Sequence, residues 1–442
     1  MKRSENGMHI GRRSMLAGIA GSMGVAALPT ATAEALPAPT QAHPTAHYPS
    51  NWPEPEPYGL ADARQDLWPR EDNSFVLPLE LRSRDEELGR VWMRDTYVNC
   101  FVVDGRPLYV ATGTTRVPGL AVAGPWNDGI FVWTARSLHG PWRLADTTGI
   151  RPGAERGKVW SPEFVGENRP GRTVVAPWQE YWYDDQFGKR GEAWAPELHY
   201  FRGKWYLVAC MGDHSQKVGS FLLVSDGGVA GPYRLAEGNI EKPFGDSFIG
   251  GPSFIKPGAY YHIDGSLFSE GDDAWLVLHN NLYAKFRDDM EDIVPTTKLP
   301  AFQQKPFTPE PYLEGAYVFK HGRKYYLVQA AWDRTSIDAY GSPLYSYVAS
   351  TGRAQYQYDA VVAVADRFEG PYSERWTAGV GAGHNNFFTD GDGHLWATFF
   401  RNPAVGYWAD PSRTGDAAVA GVVRLEWTGP EGNRLYVMRQ SY

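Results

Sequence analysis

The feature that most constrains this chain is a hairpin unit that recurs from about residue 90 onward. Each unit begins with an acidic residue or a histidine. A short apolar stretch, a turn and an aromatic-rich strand follow. RDTYVNCFVVDGRPLYVATGT starts at Arg94, APELHYFRGKWYLVACMGD at Ala195 and IDGSLFSEGDDAWLVLHNN at Ile263. EGAYVFKHGRKYYLVQAAW starts at Glu314 and GHNNFFTDGDGHLWATFFR at Gly383. The turns Asp104-Gly105, Arg202-Gly203, Glu270-Gly271, His321-Gly322 and Asp392-Gly393 sit at matching offsets and are hairpin signals. Three units also end alike: SLHGPWRL, GVAGPYRL and RFEGPYSE share Gly-Pro-aromatic, the pattern of an outer-strand turn. The leading polar residues are spaced 102, 67, 50 and 70 residues apart. Five such units predict an all-β chain, a five-bladed β-propeller occupying residues 59–442. The uneven spacing argues against the regular WD40 and kelch periods. A β-sandwich of hairpins would use the same turns. The long first interval holds an insertion over roughly 150–190, rich in Trp, Tyr and Gly.

Composition agrees with many short strands. The chain has 17 Trp, 25 Tyr and 20 Phe, with 48 Gly and 33 Pro to punctuate them. This disfavours a helical bundle or a coiled coil. The formal charge is −8, and no block of Lys and Arg offers a stripe for phosphates, so nucleic acid is not an expected partner. Two cysteines, Cys100 and Cys210, are too few for a disulfide framework or a four-cysteine zinc site. They could form one disulfide or remain two free thiols.

Residues 1–33 read as an export signal. Lys2, Arg3, Arg12 and Arg13 form the basic end, Ser14 to Pro29 a short apolar stretch, and Ala31-Thr32-Ala33 a small-residue cleavage site. Arg12-Arg13 followed by Ser-Met-Leu resembles a twin-arginine signal. The apolar run is too short and too rich in Gly and Ala to span a membrane. The expectation is a protein secreted outside the cytoplasm and not inserted in the membrane once the signal is removed. Removal takes away four basic residues and one acidic one, which leaves the mature chain more acidic. Residues 34–58 are Pro-rich and aperiodic and are expected to form an extended linker or arm.

In a propeller the innermost strand of every blade faces the central channel. Residues at one register therefore converge near the axis. The leading residues Asp95, Glu197, Asp264, Glu314 and His384 are read here as that set. Crowded carboxylates raise one another's pKa, and such crowding is expected where one acid must stay protonated beside an ionised neighbour. Glycoside hydrolysis needs such a pair, one carboxylic acid for the leaving oxygen and one carboxylate for water or direct attack. Taken singly, any of these acids could equally be a turn residue or an N-cap.

The ordered motifs resemble glycoside hydrolase family 43, the five-bladed propellers of clan F, over residues of about 90–430. Arg94-Asp95 resembles the family's Arg-Asp-Pro opening, and Trp194-Ala195-Pro196-Glu197 its Trp-Ala-Pro-acid motif. Ile263-Asp264 resembles Ile-Asp-Pro, Glu314-Gly315 resembles Glu-Gly-Pro, and Gly383-His384 resembles the Gly-His at the axis. Thr96, Gly265 and Ala316 stand where the family has proline, which marks a distant branch. The resemblance implies an inverting hydrolase with Asp95 as general base and Glu314 as general acid. It implies that Asp264 tunes and orients that acid. Arabinofuranosides and xylosides are the commonest substrates in the family. The resemblance also brings a calcium ion near His384. Calcium prefers oxygen ligands, so an ion there would be held mostly by water and carbonyls. No cofactor is required.

Trp92 and Trp194 flank two of the acids and could stack on a sugar face or fill the core. Arg94, Glu197 and His384 are further candidates for substrate contact. His262 is expected to make a structural hydrogen bond. Two other readings stay open, an agar-oligosaccharide hydrolase of the family 117 type and a non-catalytic carbohydrate-binding propeller. The oligomeric state is left open.

Overall fold

The structure is a computed structural model that describes residues 76–82, 91–116, 129–150, 155–164, 183–184, 189–190, 192–212, 219–244, 262–279, 281–305, 312–332, 357–379, 383–399, 420–428 and 434–437. The expected export signal at 1–33, the arm at 34–58 and much of the 150–190 insertion lie outside these residues. Among the described residues the fold is all-β, with a single 3-10 turn at Glu237–Asn239 and no α-helix. No helix there is long and apolar enough to cross a membrane.

Five antiparallel sheets carry the fold. Sheet I runs Trp92–Val103, Arg106–Arg116, Trp133–Ala135, Arg143–Leu144. Sheet II runs Glu192–Phe201, Lys204–Gly212, Gly219–Ser225, Arg234–Leu235. Sheet III runs Ser266–Glu270, Asp273–Leu278, Leu282–Lys285. Sheet IV runs Tyr312–His321, Lys324–Trp332, Gln357–Ala365, Trp376–Gly379. Sheet V runs Phe387–Thr389, Leu395–Phe399, Gly421–Thr428, and its last strand pairs with both Val76–Pro78 and Arg434–Val437. The first described strand of the chain thus completes the final sheet.

The turns explain the hairpins. In sheets I and II the loops are Asp104-Gly105 and Arg202-Gly203, and all four residues have left-handed φ. A type I′ turn requires this. In sheets III and IV the register places the loop one residue later than the sequence pattern suggested, at Gly271-Asp272 and Gly322-Arg323. Glycine then takes the first central position with φ of 59° and 58°, which fits the type II′ turn. The Gly-Pro-aromatic turns close sheets I, II and IV in one way. Trp142 Nε1 donates to Leu138 O, Tyr233 OH to Val229 O and Tyr372 OH to Phe368 O, each four residues back. Each aromatic ring is thereby buried with its polar tip satisfied.

The apolar cores lie between neighbouring sheets. Leu77, Trp133 and Val98 pack with Phe388, Trp396 and Val422 between sheets V and I. Tyr206, Val208 and Leu222 meet Leu276, Leu278 and Phe286 between sheets II and III. Phe268 and Val277 meet Val318, Leu327 and Phe368 between sheets III and IV. A larger cluster joins Tyr97 and Val110 to Leu198 and Leu207, and Tyr317 and Val328 to Phe387 and Val423. Covered on both faces, strand Gly219–Ser225 is buried at all seven positions. Its centre, Phe221 to Val224, therefore reads as a continuous apolar run rather than an alternation. Both cysteines are free thiols, Cys210 buried and Cys100 half-buried.

Candidate active site

The site is built where the first strands of the sheets begin. In sheets I, II and IV the ladder slips between Arg94 and Tyr97, Trp194 and Glu197, and Glu314 and Tyr317. Each slip is a β-bulge, which re-aims the side chains beside it. The residue at the bulge is left-handed: Asp95 at φ 50°, Ala195 at 47° and Gly315 at 54°. Asp264 at 54° and His384 at 53° repeat this conformation at the starts of sheets III and V.

This corrects the expected register. The equivalent set is Asp95, Ala195, Asp264, Gly315 and His384, not five leading polar residues. Glu314 stands one place earlier, matching Arg94 and Trp194, which pair across the ladder with Thr114 and Cys210 as Glu314 does with Ala330. Glu197 stands two places later than the left-handed residue, matching Tyr97 and Tyr317. Three registers therefore supply the acids. The reason Gly follows Glu314 is close approach. A Cβ on Gly315 would lie 2.7 Å from His384 Cγ, and φ is already left-handed.

Hydrogen bonds tie these starts to one another from sheet to sheet. Thr114 Oγ1 donates to Asp95 Oδ2 at 2.6 Å and accepts from Ala195 N at 2.8 Å, linking sheets I and II. Ser266 Oγ donates to Glu197 Oε2 at 2.7 Å, linking II and III. Asp264 N lies 3.5 Å from Cys210 Sγ on the same boundary. Gly315 N donates to Asp264 Oδ2 at 3.2 Å, linking III and IV. Tyr317 OH donates to Phe387 O at 3.0 Å, linking IV and V. Val98 N donates to Asn386 Oδ1 at 3.1 Å and Asn386 Nδ2 donates to Val98 O at 2.7 Å, linking V back to I. His384 Nδ1 lies 3.2 Å from Asp95 Oδ1 across that last boundary.

Burial and charge then act on each other. Burial alone would pull His384 down, but Asp95, Asp264, Glu314 and Glu197 together hold its pKa above the ordinary value. All four carboxylates therefore act on one imidazole. His279, buried nearby with Nδ1 on Ile263 O at 3.2 Å, is pushed down by burial. Burial also pushes the Cys210 thiol well up, with Asp264 adding to it.

Asp95, Thr96, Tyr97, Ala195, Glu197, His384, Asn385 and Asn386 line a small cavity. Asp95 Oδ1, Thr96 Oγ1 and Asn385 Oδ1 are buried with no hydrogen-bond partner among the described residues. Buried polar atoms without a hydrogen bond are costly, so this lining suits a polar guest such as water or a sugar hydroxyl.

Of the residues singled out in the sequence, the structure gathers Asp95, Asp264, Glu314, Glu197 and His384. Arg94 and Trp194 are half-buried at the position before the left-handed residue. Trp92 begins its strand, and its side chain lies outside the described residues. His262 is buried, and its carbonyl accepts from Ser220 Oγ at 2.7 Å. The supporting groups were missed: Thr114, Ser266, Cys210, and His199, whose Nε2 lies 3.0 Å from Glu197 Oε2. Only His199, two places beyond Glu197 on the same strand, carried a signal in the sequence.

The family profile described as "Glycosyl hydrolases family 43" matches residues 172–428. The chain belongs to glycosyl hydrolase family 43. It is a glycoside hydrolase, of a family whose enzymes invert, and its substrate is a carbohydrate. Solved structures similar to this family 43 chain include a thermostable family-43 glycoside hydrolase at 16% identity, covering 80% of this chain and 95% of that one with a TM-score of 0.49. An endo-1,4-beta-xylanase from Bacteroides thetaiotaomicron is 16% identical over 79% of this chain and 97% of that one, with a TM-score of 0.46. An exo-beta-1,3-galactanase from Clostridium thermocellum is 12% identical over 82% and 65%, with a TM-score of 0.49. No curated protein matches the chain.

Proposed function

We propose that the protein is an exported, inverting exo- or endo-glycosidase built as a five-bladed propeller, with Asp95 as general base and Glu314 as general acid. The observation that carries this is the convergence of Asp95, Asp264 and Glu314, from the starts of three different sheets, on the single imidazole of His384. The sheet-to-sheet contacts running from I through V and back to I support the propeller. Sugar chains of the arabinofuranoside or β-xyloside type are the proposed substrates, on the motif resemblance and the family.

In the reaction Asp95 takes a proton from water as the water oxygen bonds to the anomeric carbon. The glycosidic C–O bond breaks, and the departing oxygen takes the proton of Glu314. Asp264 holds the Gly315 amide, the peptide group that follows Glu314, and so positions the acid. Glu197, held by Ser266 and His199 and lining the cavity with Asp95, binds sugar hydroxyls in this reading. Arg94, Trp92, Trp194 and His384 are further proposed contacts. Calcium enters no step. Among the described residues, the group of three acidic or imidazole side chains close enough to share an ion is Asp390, Asp392 and His394, on the hairpin of sheet V. An ion at His384 would depend on water and carbonyl oxygens.

The test is turnover on a panel of nitrophenyl glycosides and arabinan, xylan and agar oligosaccharides. Glu314→Ala and Asp95→Ala should each lower kcat on the best substrate by about 10² to 10⁴ with unchanged thermal unfolding. Full activity in either variant contradicts its assigned role. Export is checked by the mass of the secreted protein, which should lack residues 1–33; an intact N-terminus refutes the signal.

A further inference from the structure

Thr114 stands on the second strand of sheet I, opposite Arg94. Its hydroxyl has one proton to give. Ala195 N–H can only donate, so the hydroxyl accepts there, at 2.8 Å. The proton must then go to Asp95 Oδ2, at 2.6 Å, a length typical of a hydroxyl on a carboxylate. The two Asp95 oxygens are therefore unlike. Oδ2 is anchored. Oδ1 is buried without a hydrogen-bond partner among the described residues, on a side chain that lines the polar cavity. It lies in an ion pair with His384 Nδ1 at 3.2 Å, outside hydrogen-bond geometry.

We propose that Thr114 is a positioning residue for the general base: it anchors Asp95 Oδ2 and leaves Oδ1 as the oxygen that takes the proton of the attacking water. This rests on the reading of Asp95 as base. The link also runs between sheets. The left-handed Ala195 presents its amide to Thr114, so the start of sheet II fixes the hydroxyl that aims the base of sheet I. Alanine is an unexpected residue for that backbone conformation, and the conformation is what delivers the N–H.

The experiment compares Thr114→Val, Thr114→Ser and Asp95→Ala with the unaltered enzyme, on a nitrophenyl and a dinitrophenyl glycoside of the best sugar. Thr114→Val should lose about 10- to 100-fold in kcat, the scale of a hydrogen bond to a charged group, with KM nearly unchanged. Thr114→Ser, which keeps the hydroxyl, should stay within about threefold of the unaltered enzyme, by the same reckoning. The Thr114→Val loss should be equal on both leaving groups, because a better leaving group relieves a defect in the acid but not in the base. If Thr114→Val does not fold, Thr114→Ala takes its place. Wild-type kcat in Thr114→Val, equal losses in the Val and Ser variants, or a loss that vanishes on the dinitrophenyl glycoside would each overturn the proposal. An active Asp95→Ala overturns the underlying assignment of the base instead, so the two failures are distinguishable.

Discussion

At the scale of single residues, His384 joins the acids into one electrostatic unit. Its pKa is raised because four carboxylates outweigh its burial. The folded protein therefore keeps a proton that the unfolded chain releases. The resulting stabilisation is complete below the unfolded value of about 6.5 and disappears as pH rises through the higher folded value. His279 acts with the opposite sign, since its folded pKa is lowered, and its contribution is lost only as pH falls below that same unfolded value. The two windows are separate. Thermal midpoints measured from pH 6.5 upward should fall more steeply for the unaltered enzyme than for His384→Gln. Parallel slopes would mean that the imidazole is not charged among the acids. Residue types in this cluster were legible in the sequence, because acids and a histidine before hairpins stand out. Their partners were not. Thr114, Ser266 and Cys210 come from other strands or other sheets, and no local pattern marks a threonine as the one that meets Asp95.

At the scale of elements, the hairpins were legible because each turn type imposes its own residues. Left-handed φ at Asp104-Gly105 and Arg202-Gly203 is chemistry a sequence can show. Gly-Pro-aromatic was readable for the same reason: one aromatic tip reaches one carbonyl four residues back in three sheets. The misreadings were all of register. In sheets III and IV the turn sits one residue on, and at the strand starts the acids come from three registers rather than one. A β-bulge adds a residue to one strand without adding one to its partner. Counting along a single strand therefore cannot reveal which residue is displaced. The bulge places Glu314 immediately before a left-handed Gly315 whose amide donates to Asp264, so the backbone beside Glu314 is tied to sheet III.

At the scale of the whole molecule, hydrogen bonds tie the starts of the five sheets to one another from I through V and back to I. The proposed site residues are divided among these sheets: Asp95 is on sheet I, Glu197 on II, Asp264 before III, Glu314 on IV and His384 before V. Cores between successive sheets hold these starts in fixed relation. The pairing of Val76–Pro78 with Gly421–Thr428 brings the early chain into the last sheet, so the set of sheets is completed by residues far apart in sequence. This explains why the all-β class was readable from repeats while the site geometry was not, since geometry arises only when distant units assemble.

The central claim is that Asp95 deprotonates water and does not attack the sugar. Proton NMR of the first sugar released from the best substrate, recorded before mutarotation, tests it most directly. Inversion requires an anomer opposite in configuration to the substrate, and that is the predicted signal. A first-formed anomer of retained configuration would make a carboxylate the nucleophile and would contradict the account.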